Sequence, residues 1–577
     1  MLRVYLPQLV RAVDPAFSGG VRGVASATGP FTFVSTPIFY VNAKPHIGHL
    51  YTALLTDAAA RWSRIEGIPT LFSTGTDEHG LKVQEAAENA GVSPLEYCDT
   101  ISRSFKDVFD QFDISFDDYI RTTEVRHQSA VRLLWQTLYD GGHIYLGKHE
   151  GWYCQSDEAF LTDSQVEPTL CPETGVEKMV SKESGHPAVW LSETNYKFRL
   201  SAFEQPLLDW LGGEGDGPRA ESVVYPPSRL NEGTEFVSSG LRDLSISRTK
   251  SHVQWALPVP PSVEEDGNEQ EHSIYVWLDA LTNYLTVTGY GETWFSGDDL
   301  HGEDGHFWPA THVVGKDILR FHAVYFPAFL MAANLPLPSR IIAHGHWTVD
   351  RVKMSKSLGN VVSPSDLLRT YGIDPVRFFL LRDGRLGSDG DFNHANLEMR
   401  RDAELADTMG NLITRATGKK MLPEAVLPRC VEESRLREED LHLRSLVSRL
   451  KREVPSLYED MEFGRAVIEI MDVLRETNRY FAAAEPWKLR KEERNGDDEA
   501  GERADTVVYH TLESLRACGI YLQPIIPASA AKVLDFLNVD KAERNSHACD
   551  IGRTAGVPLG FGGQGIVKPF ILFSKEQ

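Results

Sequence analysis

The stretch from Thr36 to His49 constrains the fold more than any other part of this sequence. An apolar, β-prone run precedes it, and a helical pattern with apolar residues on one face follows it. It therefore predicts a strand, a tight turn and a helix, with Pro45 at the helix start. His46 and His49 would share the first helical turn. A helix N-terminus and two imidazoles suit a phosphate, and Gly48 lets a ligand approach the backbone.

A second motif, Lys-Met-Ser-Lys-Ser at 353–357, lies far along the chain after a β-like run. Each motif alone has an ordinary interpretation, because paired histidines can be metal ligands or surface residues and a basic loop is usually solvated. Together and in this order, they resemble the His-Ile-Gly-His and Lys-Met-Ser-Lys-Ser signatures of class I aminoacyl-tRNA synthetases. The resemblance is strongest to methionyl-tRNA synthetases of the mitochondrial type, and it spans roughly residues 30 to 545.

Length and composition indicate a globular protein of several domains. The 577 residues suggest roughly three or four domains, and 42% hydrophobic and 24% charged residues are ordinary. No apolar run approaches the roughly 18 residues that span a bilayer, so no membrane partner is expected. The net charge of −23 argues against indiscriminate nucleic-acid binding but allows a local basic groove. Four of the six cysteines lack a close sequence partner, which indicates a reducing compartment.

The order of predicted elements indicates the domain organisation. Alternating strands and helices predict an α/β fold with a parallel sheet and ligands at the carboxyl ends of its strands. After Asp389 the pattern predicts only helices. The resemblance implies a Rossmann-like catalytic domain with a connective insertion, followed by an α-helical bundle that binds the anticodon. The expected boundaries are 1–28 for a transit peptide, 29–143 and 230–344 for the two catalytic halves, 144–229 for the insertion, 345–388 for the second motif and a stem-contact region, 389–545 for the helical domain and 546–577 for a tail.

Residues 1–28 differ from the rest of the chain. They contain three arginines, small residues and a single acid, Asp14, without a compact apolar block. This composition is typical of a mitochondrial transit peptide, whereas a disordered tail is the alternative. We therefore expect the protein to reside in the mitochondrial matrix.

The insertion carries an incomplete metal motif. Cys154 is followed three residues later by Asp157, and Cys171 is followed by Thr174, where many relatives carry two metal-binding pairs. A structural zinc site needs four good Cys or His ligands, and only two thiols remain. We therefore predict no zinc and no other protein-bound metal.

The resemblance assigns roles that the patterns alone leave open. An Asp after a strand is often only a helix cap, and a Trp–Tyr pair seven residues apart is most often core packing. The implied catalytic residues are His46, His49, Lys353 and Lys356. The implied methionine-binding residues are Ile38, Tyr40, Asp77, Arg248, Trp277, Ala280, Tyr284, His322 and Phe326. The implied ATP-binding residues are His46, Gly48, His49, Gly315, Asp317, His344, Gly345 and Lys356. The implied anticodon-binding residues are Asn411, Arg415 and Trp487.

The resemblance implies an enzyme that uses ATP with Mg²⁺ to attach methionine to tRNA(Met), without an obligatory protein partner. Two alternatives remain at this stage. A cysteinyl-tRNA synthetase would share the ATP chemistry, but it normally grips its thiol substrate with a metal, and such ligands are not evident. A non-enzymatic tRNA-binding paralogue would be expected to lose phosphate-handling residues, yet both motifs are intact.

Overall fold

A computed structural model of the protein describes residues 31–154, 159–161, 163–170, 177–182, 185–213, 222–260, 271–291, 308–354, 359–553, 555–560 and 572–573. Its strands are β1 Thr32–Ser35, β2 Phe39–Tyr40, β3 Thr70–Asp77, β4 Asp118–Arg121, β5 Ile144–Cys154, β6 Ala159–Leu161, β7 Val166–Leu170, β8 Glu177–Ser181, β9 Ala188–Phe198, β10 Val224–Tyr225, β11 Leu244–Ser245, β12 Ser247–Thr249, β13 His272–Ile274, β14 Thr311–Gly315, β15 Arg340–His344, β16 Trp347–Val349, β17 Val352–Lys353 and β18 Gly390–Phe392.

The described α-helices extend over both parts of the chain. They are α1 Ile47–Ile65, α2 Leu81–Ala90, α3 Pro94–Gln111, α4 Val125–Asp140, α5 Glu204–Leu211, α6 Pro227–Ser238, α7 Val276–Leu281, α8 Asn283–Thr286, α9 Phe326–Ala332, α10 Pro364–Tyr371, α11 Ile373–Asp383, α12 His394–Arg400, α13 Asn411–Ala416, α14 Glu438–Glu459, α15 Phe463–Ala484, α16 Pro486–Glu493, α17 Asp498–Leu522 and α18 Pro527–Phe536. Two π-helical segments, Phe321–Tyr325 and Arg401–Gly410, precede α9 and α13.

A parallel seven-stranded sheet lies at the centre of the first part of the chain. Its strand order is β10-β15-β14-β1-β3. Strand β2 pairs with the end of β3 on the same side as β1, and β4 pairs with β3 on the other side. Successive side chains along a strand point to opposite faces of the sheet and so pack into two different hydrophobic cores, as Phe33 and Val34 do on β1. The two halves of the sheet meet where β1 pairs with β14, and their carboxyl ends open a crevice. The α/β fold class is confirmed.

Helix α1 begins two residues later than the sequence predicts. His46 is its N-cap residue and Ile47 its first residue, so Pro45 lies outside the helix. The predicted apolar face of α1 is buried, and burial extends almost all round the helix, because it packs against both the sheet and the C-terminal helices. Near its end, for example, the ring of Trp62 lies 4.9 Å from that of Tyr458 on α14.

Most strands of the insertion form a separate antiparallel sheet in the order β11-β9-β5-β6. The predicted end at 229 does not match the sheets, because β11 lies beyond it and β10, which lies before it, joins the parallel sheet. Strands β5 and β9 pair along their whole length, from Ile144 opposite Phe198 to Cys154 opposite Ala188. Cys154 is buried in a small core at the far end of this ladder. Its expected companions Asp157, Cys171 and Thr174 lie outside the described residues, so the absence of zinc stays a prediction. Residues 1–28 also lie outside them.

The C-terminal part is helical, as the sequence predicts, with one exception. The buried sides of α14, α15 and α17 form a core that is continuous with one face of the parallel sheet. One short strand, β18, follows Asp389 and pairs in parallel with β16, although the sequence predicts only helices here. Three residues are too few for a period-2 pattern to be recognised. None of the described helices is both long and apolar enough to cross a membrane.

Candidate active site

A cavity of about 410 Å³ lies at the carboxyl edge of the parallel sheet, beside the junction of β1 and β14. It gathers side chains from loops that follow β1, β3, β14 and β15, as expected for parallel strands. The predicted site residues that line it are Ile38, Tyr40, His46, Gly48, His49, Asp77, Trp277, Ala280, Tyr284, Gly315, Asp317, His322, His344 and Gly345.

The two histidines of the first motif cap α1 and stack on each other. The Gly48 N–H donates to His46 Nδ1 (3.0 Å), and the His46 N–H donates to His49 Nδ1 (3.1 Å). The ring centroids are 3.8 Å apart. Because each Nδ1 accepts a backbone N–H, each neutral ring carries its proton on Nε2. Burial, reinforced by the neighbouring His46, lowers the pKa of His49 well below its ordinary value, which keeps that ring neutral.

The first turn of α1 offers less backbone to a ligand than the sequence suggests. The Ile47 N–H already donates to the Val362 carbonyl (3.2 Å), and the Gly48 N–H is bonded to His46. Two backbone N–H groups of the first turn are therefore already bonded within the protein.

The loop after β14 presents a carboxylate to the same cavity. Asp317 accepts a hydrogen bond from His346 Nε2 (2.9 Å). A Cβ atom on Gly315 would lie 2.5 Å from Asp317 Oδ1, so this carboxylate would have to move if another residue replaced the glycine. The backbone N–H of His346 in turn donates to Asp389 Oδ1 (2.9 Å), which also binds Lys316 Nζ (2.7 Å). His346 itself lines the cavity and was not predicted.

Aromatic side chains form the deeper wall. The Tyr284 hydroxyl lies 2.7 Å from His322 Nε2, and His322 Nδ1 lies 3.0 Å from the Ile318 carbonyl. Since only an N–H can bond to that carbonyl, His322 Nε2 accepts from the tyrosine. Burial lowers the pKa of His322 to about 4, so this imidazole is uncharged at neutral pH. Trp277 stacks on Phe321 with ring centroids 3.6 Å apart.

Two predicted methionine-binding residues do not line this cavity. Arg248 is buried beside it, where its Nη1 donates to Ser245 Oγ (3.0 Å) and the Ser247 carbonyl (2.7 Å). Phe326 is fully buried behind Tyr284, with ring centroids 5.6 Å apart. Phe326 thus supports the wall from outside, which sequence spacing cannot reveal.

The described residues include only Lys353 and Met354 of the second motif. The backbone of Lys353 ends β17, and Met354 lines the cavity, which places the start of this motif at the site. Lys356 lies outside the described residues, and the side chain of Lys353 is not described either. Their roles stay predictions.

A buried hydrogen-bond network that was not predicted from the sequence lies behind the wall and is centred on Asp279. Asp279 on α7 binds His79 Nδ1 through Oδ2 (2.6 Å) and His127 Nε2 through Oδ1 (2.9 Å). Burial alone would raise the pKa of this carboxyl, but the two imidazoles lower it to about 2. The network ties α7, which carries Trp277, to the end of β3, which carries Asp77. His79 stands two residues after Asp77, but no sequence pattern pairs it with Asp279.

The three predicted anticodon residues lie close together in the helical domain. The Arg415 guanidinium lies 5.8 Å from the Trp487 ring centroid and 5.1 Å from that of Phe481. The side chain of Trp487 is 43% exposed, which excludes simple core filling. Asn411 is exposed one turn before Arg415 on α13. Phe481, which was not predicted, contacts both Arg415 and Trp487.

The comparisons with known proteins agree with this architecture. The family described as "tRNA synthetases class I (M)" matches residues 32–417, and the "Anticodon binding domain of methionyl tRNA ligase" matches residues 431–575. A solved structure of Mycobacterium tuberculosis methionyl-tRNA synthetase in complex with methionyl-adenylate superposes with a TM-score of 0.83. It is 37% identical and covers 94% of this chain and 99% of its own. The chain is thus a class I aminoacyl-tRNA synthetase in fold and family.

Curated relatives narrow this class further. The probable mitochondrial methionine–tRNA ligase of Dictyostelium discoideum is 44% identical over 520 residues, which is 89% of this chain and 87% of the relative. The mitochondrial methionine–tRNA ligase of Homo sapiens is 42% identical over 544 residues, or 92% and 87% of the two chains. This chain belongs to the methionyl-tRNA synthetase family, mitochondrial type.

Removing the Asp279 carboxylate should destabilise the protein. Asp279→Ala leaves two buried imidazoles without their acceptor, and each such loss costs about 1–3 kcal/mol. We expect a clearly lower Tm by thermal unfolding. Asp140→Ala, at an exposed helix end, is the control and should unfold like the wild type. Equal unfolding of all three proteins would contradict a stabilising role for the network.

Proposed function

We propose that this chain activates methionine with ATP and transfers it to tRNA(Met), with the cavity residues in the roles given below. The observation that carries the proposal is the meeting of the His46–His49 pair, Asp77 and Asp317 in one cavity with an aromatic wall that includes the uncharged His322. A carboxylate oxygen of methionine attacks the α-phosphorus of ATP, and the bond to pyrophosphate breaks. The terminal ribose of the tRNA then takes the methionyl group and releases AMP.

His46 and His49 would stabilise the phosphates during this transfer. Their Nε2–H groups are donors at the α1 terminus, and charge stabilisation by placed donors is often the largest catalytic contribution. His49 is a neutral donor, because burial lowers its pKa. Transfer at phosphorus requires little covalent chemistry from the protein. Positioning of the substrates and hydrogen-bond donors to the phosphates can therefore account for catalysis.

The amino acid would lie between Asp77 and the aromatic wall. A carboxylate at the end of β3 can bind the α-ammonium group through a charge-assisted hydrogen bond. The thioether would then reach Tyr284 and Trp277, and sulfur–aromatic contacts are worth about 0.3–1.5 kcal/mol each. The neutral His322 adds no charge that would oppose an apolar side chain.

The nucleoside would lie over the loop after β14. Gly315 leaves room for a close approach, and the Asp317 carboxylate can accept hydrogen bonds from the ribose hydroxyls. His344 and Gly345, at the end of β15, complete this side of the cavity. Magnesium would arrive with ATP as part of the substrate.

The cluster of exposed Asn411 and Trp487 with half-buried Arg415 would read the anticodon. An exposed Trp can stack on an unpaired base, while Asn and Arg can bond to base edges. The guanidinium beside the Trp487 ring supports this role, because it offers both charge and a stacking plane. We further propose that residues 1–28 direct the chain to the mitochondrial matrix, which their arginine-rich composition supports.

ATP–pyrophosphate exchange tests the proposed function directly. The purified chain should exchange pyrophosphate into ATP with methionine and not with cysteine at equal concentration. Exchange with cysteine would identify another class I specificity. Absence of exchange with both, in a protein that still binds tRNA, would favour a non-enzymatic paralogue.

Lys356→Ala should slow methionyl-adenylate formation by roughly 10²–10³-fold, the effect of losing one donor to transition-state charge. A lysine ammonium is a compact charge on a flexible stem, suited to following a transferring phosphate. Methionine affinity should hardly change, because free methionine has no phosphate. Pre-steady-state adenylate formation and equilibrium methionine binding measure the two effects. We expect a smaller effect for Lys353→Ala, and a normal adenylation rate would remove Lys356 from the mechanism.

Trp487→Ala should weaken tRNA use by roughly 1–3 kcal/mol, the contribution of one stacked base. Aminoacylation as a function of tRNA concentration measures this loss, and exchange without tRNA should be unaffected. Leu441→Ala is a matched control, because Leu441 is 46% exposed in the same domain. If both variants charge tRNA like the wild type, Trp487 does not contact the anticodon.

A further inference from the structure

His346, a residue that was not predicted, is bonded to the predicted nucleoside-binding residue Asp317. It lies two residues beyond the end of β15 and lines the active-site cavity. Its Nε2 lies 2.9 Å from Asp317 Oδ1. Because an ionised carboxylate only accepts hydrogen bonds, the imidazole Nε2–H donates this one. The bond joins the loop after β15 to the loop after β14.

The backbone of His346 is fixed on both sides. Its N–H donates to Asp389 Oδ1 (2.9 Å), and its carbonyl accepts from the Gly390 N–H (2.8 Å). Asp389 also binds Lys316 Nζ through both carboxylate oxygens, at 2.7 and 2.9 Å. Since Lys316 directly precedes Asp317, these contacts form a closed ring of interactions. The imidazole therefore donates to Asp317 from a backbone whose position is defined.

The Asp317 carboxylate stands between two cavities. It lines the active-site cavity and a neighbouring cavity of about 560 Å³, and its side chain is 54% exposed. Three cations line that second cavity, namely Arg229, Lys316 and Arg320. Their charges favour a carboxylate that turns toward them. Packing alone does not restrain a side chain with this exposure, so its direction depends on specific bonds.

The observed direction is toward the active site. Asp317 Oδ1 lies 2.5 Å from the place where a Cβ atom on Gly315 would stand, and His346 Nε2 lies 3.8 Å from the same place. Gly315 is among the residues that line the active-site cavity and is not among those that line the second one. The bond from His346 thus holds one carboxylate oxygen on the active-site side.

We propose that His346 positions the Asp317 carboxylate for the ribose hydroxyls of ATP. This inference rests on the proposed function and concerns the nucleoside side of the same cavity. A carboxylate has two oxygens, so one can be held by His346 while the other accepts from a hydroxyl group. An acceptor that is oriented before ATP binds loses less conformational freedom on binding. His346 acts through Asp317 and is thus a positioning residue.

Paired binding measurements with ATP and 2′,3′-dideoxy-ATP test this role, because the analogue lacks both ribose hydroxyls. His346→Leu should weaken equilibrium binding of ATP about 3–10-fold, the scale of ordering one side chain on binding. Binding of the analogue should change less than about twofold. His346→Gln, whose amide N–H can replace the Nε2–H, should restore part of the ATP affinity. His346→Asn is too short for this bond and should behave like His346→Leu.

A double-mutant cycle separates positioning from direct contact with ATP. In an Asp317→Ala background, adding His346→Leu should change ATP binding less than about twofold, because the residue through which His346 acts is gone. A full further loss would show that His346 contacts ATP itself and would overturn the proposal.

His442→Leu is the matched control, because His442 is exposed on α14 and is not among the residues that line the cavity. It should bind both nucleotides like the wild type. Unchanged ATP binding in His346→Leu and His346→Asn, or equal weakening of ATP and the analogue, would overturn the proposal. A wild-type chain that binds neither nucleotide, or binds both equally, would instead overturn the nucleoside site of the proposed function.

Discussion

The pairing of β1 with β14 determines where the chemistry of this protein can occur. It joins two segments far apart in sequence, with Val34 opposite Thr311 and Ser35 opposite His312. A buried hydrogen bond of 2.8 Å between Ser35 Oγ and His312 Nδ1 adds to the backbone pairing. Because both strands run in the same direction, the loop with the two motif histidines and the loop with Asp317 open at the same edge. The cavity exists only because this register is kept.

A second buried interaction ties the helical domain to the same centre. Asp57, in the middle of α1, binds the Arg377 guanidinium of α11 (2.6 Å), and both side chains are fully buried. Burial would raise the pKa of Asp57, but the charges of Arg377 and Arg61 lower it. Arg377 also donates to the carbonyls of Pro524 (2.9 Å) and Ile525 (3.0 Å). The helix that begins beside the two motif histidines is thereby linked, through Arg377, to the segment between α17 and α18.

The sequence predicted the site best where a residue directly follows a strand or begins a helix. His46, Asp77, Asp317 and His344 could be located in this way, because parallel strands bring such positions to one edge. It does not give the orientation of long side chains. Arg248 stays a predicted methionine-binding residue, and only the structure shows that its Nη1 donates to Ser245 Oγ and the Ser247 carbonyl. The direction of a long side chain depends on its packing, and packing is not local information.

By itself, the sequence determined the α/β class, the helical C-terminal part and the two motifs, because periodicity and motif chemistry are local properties. Only the tertiary structure decided which residues share the cavity wall and which support it from behind. The Asp279 network illustrates the reason, since its histidines lie 200 and 152 residues away along the chain. A buried carboxylate needs partners wherever the fold can supply them, and spacing along the chain does not indicate where they stand.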